Sequence, residues 1–210
     1  MFVGAQERML RFFLEHGILL RDGHFLLTTG GRHSTDFISK EVIFAISRLL
    51  DDLSGEMADL VLHDKRILPQ VIAGPETGGA KLALWVAWHL AGLMGTDTLR
   101  TVTIEQVGRT RVIRRGYRSL VEGKRVLLVD DSVSSGSSLT ESREAIHEAQ
   151  GELVGVVTLA NRSGFDLTTI TGVPSHSLLT KHLPTYAPGP TCPGCVAGKP
   201  LNTEYGRVGK

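Results

Sequence analysis

The sequence predicts an α/β fold in which helices flank a central parallel, twisted sheet, with a small cap outside it. Three strand–loop–helix units follow one another through the middle of the chain. Such alternation favours βαβ units, whose strands lie parallel with helices on both faces. The segment Val126–Val129 is apolar without interruption, as expected of a central strand covered on both sides.

The first elements are a helix, two short strands and a longer helix. Apolar residues at helical spacing predict an amphipathic helix from Phe2 to His16. The segment GHFLLTTGGRHSTDFISK, which starts at Gly23, is typical of a strand, a glycine turn and a second strand. Apolar residues at three- and four-residue steps predict a helix over Ile43–Leu62.

The central elements alternate between strand and helix. QVIAGPETGG predicts a strand that ends in a loop, and a strongly apolar helix follows over Ala80–Leu93. RTVTIEQ, from Arg100, predicts a strand by its β-branched residues, and Val107–Gly123 is interpreted as a hairpin. RVLLVD predicts a buried strand, Leu139–Ala149 a helix, and ELVGVVTLA another strand.

We expect a single domain over residues 1–210, since this length suits one domain and is enough to bury a core. The predicted core takes in residues from about 41 to 183. The predicted cap, or hood, combines residues 1–40 with residues 184–210, which are rich in proline and glycine and indicate loop.

Composition excludes several classes of function. Hydrophobic residues make up 41% and charged residues 21% of the chain, which is ordinary globular usage. The formal net charge of +1 gives no general attraction to nucleic acid. No apolar run reaches membrane-spanning length, and charges interrupt the N-terminal segment where a signal peptide would be apolar. We therefore expect a cytoplasmic protein with no membrane partner.

Positive charge is concentrated in one segment. From Arg100 to Arg125 there are eight basic residues, against only Glu105 and Glu122 as acids. Such a patch is either a solvated hairpin or a surface for a polyanion.

Two adjacent carboxylates end the apolar strand. Asp130 and Asp131 are therefore expected at the carboxyl end of a parallel strand, where open α/β sheets bind ligands. The following loop of serines leads into a helix, and Ser138 with Glu141 fits a capping box. Helix N–H groups, a glycine and hydroxyls together form an anion cradle. Carboxylates repel a phosphate, so their place beside such a cradle indicates that the ligand also carries a diol or is bound together with Mg²⁺. The alternative is that the motif is only a polar turn.

The stretch RVLLVDDSVSSGSS resembles the ribose-5-phosphate motif of type I phosphoribosyltransferases. The resemblance implies that the paired aspartates hold the ribose hydroxyls of 5-phosphoribosyl 1-pyrophosphate (PRPP) and that the serine loop holds its 5-phosphate. VIAGPETGG stands where the family has its pyrophosphate loop. The PRPP-binding residues implied in this way are Asp130, Asp131, Ser134, Ser135, Gly136, Ser137, Ser138, Glu76, Thr77, Gly78 and Gly79.

Three further stretches are similar to the orotate phosphoribosyltransferases: FLLTTGGRHSTDFISK, LANRSG and the tail segment CPGCVAGKPL. The resemblance implies an enzyme of pyrimidine (UMP) synthesis that joins orotate to PRPP, giving orotidine 5′-phosphate and pyrophosphate. Arg162 would bind the orotate carboxylate, because a guanidinium can hold a carboxylate through two hydrogen bonds. The implied base-binding residues are Arg162, Ser134, Phe37, Ile38 and Arg32.

The resemblance also implies the course of the reaction. A pyrimidine nitrogen displaces pyrophosphate from ribose C1, so the protein must align the reactants, neutralise the leaving group and exclude water. The implied catalytic residues are Asp130, Asp131, Arg114 and Arg115, with residues 107–118 as a lid. In orotate enzymes this lid reaches the partner subunit's site, which implies a homodimer. Mg²⁺ is the implied cofactor, bound through the substrate, with Asp131 as the candidate protein ligand.

Departures from the family pattern leave alternatives open. The chain has Glu105-Gln106 where one branch of the family has Glu-Lys or Glu-Arg, so one cation is missing. The arginines available to replace it are Arg109, Arg111, Arg114 and Arg115. The alternative enzyme is a phosphoribosyltransferase for another purine or pyrimidine base. The alternative from another class is a PRPP-sensing regulator without catalysis, including one that binds RNA through its arginines.

The two cysteines form half of a zinc motif. Cys192 and Cys195 have the spacing of two zinc ligands, whereas a site needs four. His176 and His182 are candidates for the other two, as is a second chain. Because the local set is incomplete, the sequence favours a plain turn here.

Overall fold

The computed structural model describes residues 2–27 and 31–205. It divides into two compact units. The core unit is Ile46–Lys181, and the hood unit combines Met1–Ala45 with His182–Lys210. The expectation of one domain, with boundaries near residues 41 and 183, stays a prediction. The predicted turn at residues 28–30 lies outside the described residues.

The described residues form helices and strands that we number in chain order. They are α1 (Phe2–Glu15), β1 (Leu19–Leu20), β2 (Phe25–Leu26), β3 (His33–Ser34), β4 (Phe37–Ile38), α2 (Lys40–Ala45), α3 (Ser47–His63), β5 (Val71–Pro75), α4 (Gly78–Met94), β6 (Arg100–Val107), β7 (Thr110–Val112), α5 (Arg115–Val121), β8 (Arg125–Val133), α6 (Ser137–Glu148), β9 (Glu152–Asn161), α7 (Leu167–Thr171), β10 (Ser175–Thr180) and α8 (Pro193–Val196).

The core unit is built on one six-stranded sheet, and the predicted fold class is confirmed. The strand order is β10-β9-β8-β5-β6-β7. β7 pairs with β6 antiparallel, whereas the other pairs in this sheet are parallel. The apolar run in β8 is fully buried, as expected of a central strand.

Helices cover both faces of this sheet. Val126 and Leu128 of β8 belong to the apolar cluster that includes Val121 of α5 and Leu139 of α6. Because side chains alternate along a strand, Leu127 points to the opposite face. Two further helices of the core unit lie against the sheet: α3 contacts β9, and α4 contacts β5 and β8. Two-sided burial explains why β8 carries no polar residue between Arg125 and Asp130.

The position of α4 depends on close backbone approach. A Cβ atom on Gly74 of β5 would lie 2.1 Å from the carbonyl oxygen of Gly79. A Cβ on Gly79 would in turn lie 2.7 Å from the carbonyl oxygen of Val129 in β8. The two glycines therefore let the start of α4 lie directly against the ends of two central strands.

Several predicted elements need correction. The predicted helix over Ile43–Leu62 is two helices, because Ile46 between α2 and α3 has extended backbone (φ −114°, ψ 101°). The predicted hairpin is right for β6 and β7 but wrong for Arg115–Val121, which forms α5. The adjacent residues Leu120 and Val121 of α5 pack in the apolar cluster, and this burial favours the helix over a strand. Four elements were not predicted: β1, α7, β10 and the short α8 within the tail.

The hood unit contains two small antiparallel strand pairs. β1 pairs with β4, and β2 pairs with β3 in a register that places Leu26 opposite His33. The C-terminal tail joins the β2–β3 pair through two isolated bridges, Phe25 with Asn202 and His33 with Tyr186. The hood unit is thus assembled from both ends of the chain. In the part of the chain that the structure describes, no helix has both the length and the apolar character to cross a membrane.

Candidate active site

Asp130 and Asp131 lie at the carboxyl end of β8 with only 5% and 7% of their surface exposed. The Asp130 carboxylate accepts hydrogen bonds from the Asp131 N–H (2.8 Å) and from the Ser138 hydroxyl (3.0 Å). Asp131 accepts one from the Ser132 hydroxyl at 3.1 Å. Neighbouring polar groups therefore orient both carboxylates at this edge of the sheet.

Of the two carboxyl groups, Asp130 is the one whose charged form is disfavoured. Burial, and after it the negative charge of Asp131, raises the pKa of Asp130 above its ordinary value. The hydrogen bonds from Asp131 and Ser138 and the positive charge of Arg111 oppose this rise. A ligand that brings hydroxyl donors or a cation to the pair would relieve the same repulsion.

Arg111 of β7 is the basic residue whose charge acts on Asp130. Its Nε atom lies 3.3 Å from Glu141 Oε2 of α6, close enough for an ion pair but without hydrogen-bond geometry. Its Nε and Nη1 atoms are buried and have no hydrogen-bond partner among the residues that the structure describes. A guanidinium with unsatisfied buried donors is suited to an incoming anion.

The two arginines predicted to be catalytic have other surroundings. Arg114 donates to the carboxylate of Glu105, and Arg115 is exposed at the start of α5. Their catalytic role stays a prediction. The sequence offered no reason to rank Arg111 above them, because its direction depends on the pairing of β7 with β6 and on the position of Glu141.

The serine loop begins α6 without the predicted capping box. Gly136 takes the N-cap position with φ +84° and makes no side-chain cap. Ser138 bonds to Asp130 and Glu141 faces Arg111, so neither side chain is available for capping. The Ser135 and Ser137 hydroxyls lie 3.0 Å apart, beside N–H groups of the first helical turn that need an acceptor. Ser134 is exposed next to them.

The predicted pyrophosphate loop lies against the carboxylate pair. A Cβ on Gly78 would lie 1.8 Å from Asp131 Oδ2, so no residue with a side chain fits there without a shift. The Glu76 carboxylate accepts a hydrogen bond from the Gln106 N–H at 3.3 Å, which connects the loop to β6. The Gln106 side chain donates to the Gly108 carbonyl and so supports the turn of the basic hairpin. Glu76, Thr77, Gly78 and Gly79 therefore follow the strand beside the one that carries the aspartates.

Arg162 follows β9 at the same edge of the sheet. Its N–H donates to the carbonyl of Val133, the last residue of β8. Its side chain is partly buried, and the buried Nη2 atom has no hydrogen-bond partner within residues 2–27 and 31–205. Burial lowers the pKa of Arg162 from its ordinary value. Such a cation gains most from a carboxylate that brings two acceptors.

Three base-site candidates belong to the hood unit. Arg32 donates to the hydroxyl of Thr185 at 2.9 Å and to its carbonyl at 2.7 Å. Phe37 contacts the rings of Phe25 and Tyr205, with centroids 5.6 Å away in each case. Ile38 pairs with Leu19. These contacts describe local packing, and the roles of Arg32, Phe37 and Ile38 in binding a base stay predictions.

Comparison with known proteins identifies a family. The family model for the phosphoribosyl transferase domain matches residues 39–165. The orotate phosphoribosyltransferase of Caldicellulosiruptor saccharolyticus is 30% identical over 196 residues, which are 93% of this chain and 94% of the relative. The enzyme of the same name from Thermotoga maritima is 31% identical over 199 residues, 95% of this chain and 98% of the relative.

Solved structures agree on the fold. Orotate phosphoribosyltransferase from Francisella tularensis superposes with a TM-score of 0.62 at 21% identity, over 82% of this chain and 85% of that chain. Adenine phosphoribosyl transferase from Trypanosoma brucei superposes with a TM-score of 0.60 at 13% identity, over 84% and 79%. Since relatives with different bases share the fold, the fold itself does not select the base.

Asp130→Asn is expected to stabilise the protein at pH 8 by on the order of 1–2 kcal/mol relative to wild type, and by less at pH 5. The folded-state pKa of Asp130 is raised, so the folded protein holds an extra proton and loses stability as the pH rises above the unfolded pKa of about 3.9. Urea unfolding at both pH values measures the difference. Asp59→Asn, on the exposed side of α3, is the control; equal pH dependence of all three proteins would contradict the prediction.

Proposed function

The chain belongs to the phosphoribosyl transferase family and, within it, to the orotate phosphoribosyltransferases. From this membership we propose that it joins orotate to PRPP, giving orotidine 5′-phosphate and pyrophosphate in pyrimidine synthesis. The observation that carries the proposal is the buried Asp130–Asp131 pair beside the serine loop of α6. A diol and a phosphate on one ligand match these two neighbouring features.

The PRPP half of the reaction uses the carboxyl ends of β8 and β5. The two aspartates accept hydrogen bonds from the ribose hydroxyls, which offsets the burial and the repulsion that together raise the pKa of Asp130. Residues 134–138 hold the 5-phosphate through hydroxyls and helix N–H groups. Residues 76–79 approach the pyrophosphate, because Gly78 keeps the backbone against Asp131.

The base half uses Arg162. Its Nη2 donor is buried without a partner, and an orotate carboxylate supplies both a charge and two acceptors. The relatives named orotate phosphoribosyltransferase support this choice of base. A base without a carboxylate would leave the guanidinium buried and unpaired, which costs binding free energy.

Displacement of pyrophosphate requires a cation beside the leaving group. Within residues 107–118, Arg111 is the basic side chain with buried donors that lack a partner, and Arg109 and Arg115 are exposed on the same segment. We propose that residues 107–118, a hairpin turn followed by α5, act as the lid that brings these charges over the pyrophosphate and excludes water.

The residues also fit Mg²⁺. Asp130 and Asp131 offer hard carboxylate oxygens, and their mutual repulsion would be lowered by a cation. Asp131 is the residue that would hold the ion, with the remaining ligands from substrate and water. Bound Mg²⁺ would neutralise charge on the pyrophosphate oxygens.

A cytoplasmic location, which suits two free cysteines, stays a prediction for cell fractionation to test.

A homodimer is part of the proposal, and α4 offers a surface for it. Leu84 and Trp88, one helical turn apart, are 60% and 74% exposed. Adjacent large apolar residues on one helix face are typical of an interface.

In an assay of the purified protein with PRPP, Mg²⁺ and orotate, we expect loss of the orotate absorbance at a rate on the order of 1–100 per second. Asp131→Asn is expected to lower kcat/KM by about 100-fold, while Asp59→Asn leaves it unchanged. Turnover of adenine or uracil in place of orotate would contradict the base assignment. PRPP binding without turnover of any base, together with salt-sensitive RNA binding, would contradict catalysis.

Arg162→Ala is expected to raise the KM for orotate by about 10- to 100-fold and to change the KM for PRPP less than about threefold, because a charged hydrogen-bond pair is lost only on the base side. Arg162→Lys should recover part of the loss. Arg100→Ala, at the start of β6, is the matched control. Equal weakening of orotate and PRPP would reject the role of Arg162.

Trp88→Glu is expected to convert a dimer into a monomer, since a buried unpaired carboxylate destabilises an apolar interface. Sedimentation at micromolar concentration measures the mass. Leu68→Glu, at an exposed apolar position outside α4, is the control and should remain dimeric. A monomeric wild type, or a dimer that tolerates Trp88→Glu, would show that this surface is not the interface.

A further inference from the structure

Four potential metal ligands converge within the hood unit. His24, His33, Cys192 and Cys195 place one ligand atom each within 4.8 Å of all the others. Three of them are buried and Cys195 is partly buried. Neither the proposed phosphoribosyl transfer nor its substrates use any of these side chains.

The separations are those of atoms around one small ion. In a tetrahedral zinc site, bonds of about 2.3 Å to sulfur and about 2.0–2.1 Å to nitrogen place neighbouring ligand atoms about 3.3–3.8 Å apart. Here Cys192 Sγ and Cys195 Sγ each lie 3.5 Å from His24 Nε2, and Cys195 Sγ lies 3.2 Å from His33 Nδ1. The two imidazole nitrogens are 2.8 Å apart, so they must separate by about 0.5 Å to share a tetrahedral ion.

We propose that the hood unit binds one divalent transition-metal ion, zinc, through His24, His33, Cys192 and Cys195. The sequence motif CPGC supplied only two ligands and made a plain turn the favoured interpretation. His24 and His33 complete the set. His176, considered above as a third ligand, instead lies in the core unit with its Nε2 atom 3.0 Å from the Asp64 carboxylate.

Neighbouring groups orient His24 and Cys195 toward the cluster. The Nδ1 atom of His24 lies 2.8 Å from the Lys199 carbonyl, which can only accept, so the proton is on Nδ1 and the Nε2 lone pair faces the cluster. The Gly189 N–H donates to Cys195 Sγ at 3.5 Å and so helps to fix the position of that sulfur. Gly194 lets the CPGC turn wrap around the His24 ring, because a Cβ there would lie 2.5 Å from His24 Cδ2.

The donor set selects the ion. Two thiolates and two neutral imidazoles suit zinc and exclude the oxygen-seeking ions Mg²⁺ and Ca²⁺. With a divalent cation the site has no net charge, so it can be buried without an uncompensated ion. Four protein ligands leave no open position, which indicates a structural site rather than a catalytic one.

The ion would fasten the two ends of the chain together. Cys192 and Cys195 lie 168 and 171 residues from His24. The backbone of the tail pairs with the small strands only at single bridges among the described residues, Asn202 beside Phe25 and Tyr186 beside His33. A cross-link between residues so distant in sequence restricts the unfolded chain strongly and supports a unit whose strands are only two residues long.

The test uses the full chain without a histidine tag, purified under reducing conditions with zinc in the growth medium. Elemental analysis should find about one zinc per chain, and removal of zinc by a strong chelator should lower Tm by about 5 °C or more. Reconstitution with Co²⁺ should give the visible bands of a tetrahedral ion and a thiolate-to-cobalt charge-transfer band. The chain has two cysteines, so that band can come only from Cys192 and Cys195.

Two variants separate the site from adventitious binding. Cys195→Ser should lose about half of the charge-transfer intensity and bind zinc at least about tenfold more weakly. His63→Gln, on the surface of α3, should match wild type. Absence of stoichiometric metal after reconstitution of the folded wild type, a Cys192–Cys195 disulfide that persists under reducing conditions, or equal metal binding by Cys195→Ser would each overturn the proposal. The cobalt spectrum of wild type decides the question even if the variant fails to fold.

Discussion

The burial of two adjacent carboxylates at the end of β8 is the constraint on which the core unit depends. Asp130 and Asp131 follow a strand that is apolar and covered on both faces, so water cannot solvate them freely. Ser138 must donate to Asp130, and position 78 must lack a side chain so that α4 can start against Asp131. The positive charge of Arg111 offsets part of the repulsion. Ser138, Gly78 and Arg111 therefore each accommodate the burial of the same two charges.

That burial explains why the site suits PRPP. In the proposed complex, sugar hydroxyls and a substrate-bound cation would supply to the pair what the protein alone provides only in part. The fold that carries this pair and the serine loop is shared with structures of an orotate enzyme and an adenine enzyme. Arg162 lies on a different strand, and its unsatisfied donor is independent of the aspartates. The proposed function therefore assigns sugar recognition and base recognition to separate features of one sheet edge.

The hood unit is held together by a different kind of interaction. Its strands are two residues long, and its two chain segments come from opposite ends of the sequence. Short strand pairs of this kind are marginal by themselves. A cluster of two imidazoles and two cysteine sulfurs, rather than a large apolar core, lies where β2, β3 and the tail meet. In the core unit, by contrast, continuous apolar strands and their covering helices supply the stability.

The sequence by itself determined the alternation of strands and helices and the placement of Asp130, Asp131 and Arg162 at strand ends, because each depends on a local pattern of apolar and polar residues. Tertiary structure decided the rest. Ser138 bonds to Asp130 instead of capping α6, since a buried carboxylate outweighs a helix end that water can reach. Segment 115–121 became helix because the apolar cluster packs against it. His24 meets Cys192 only through the path of the chain, since no local periodicity relates side chains 168 residues apart.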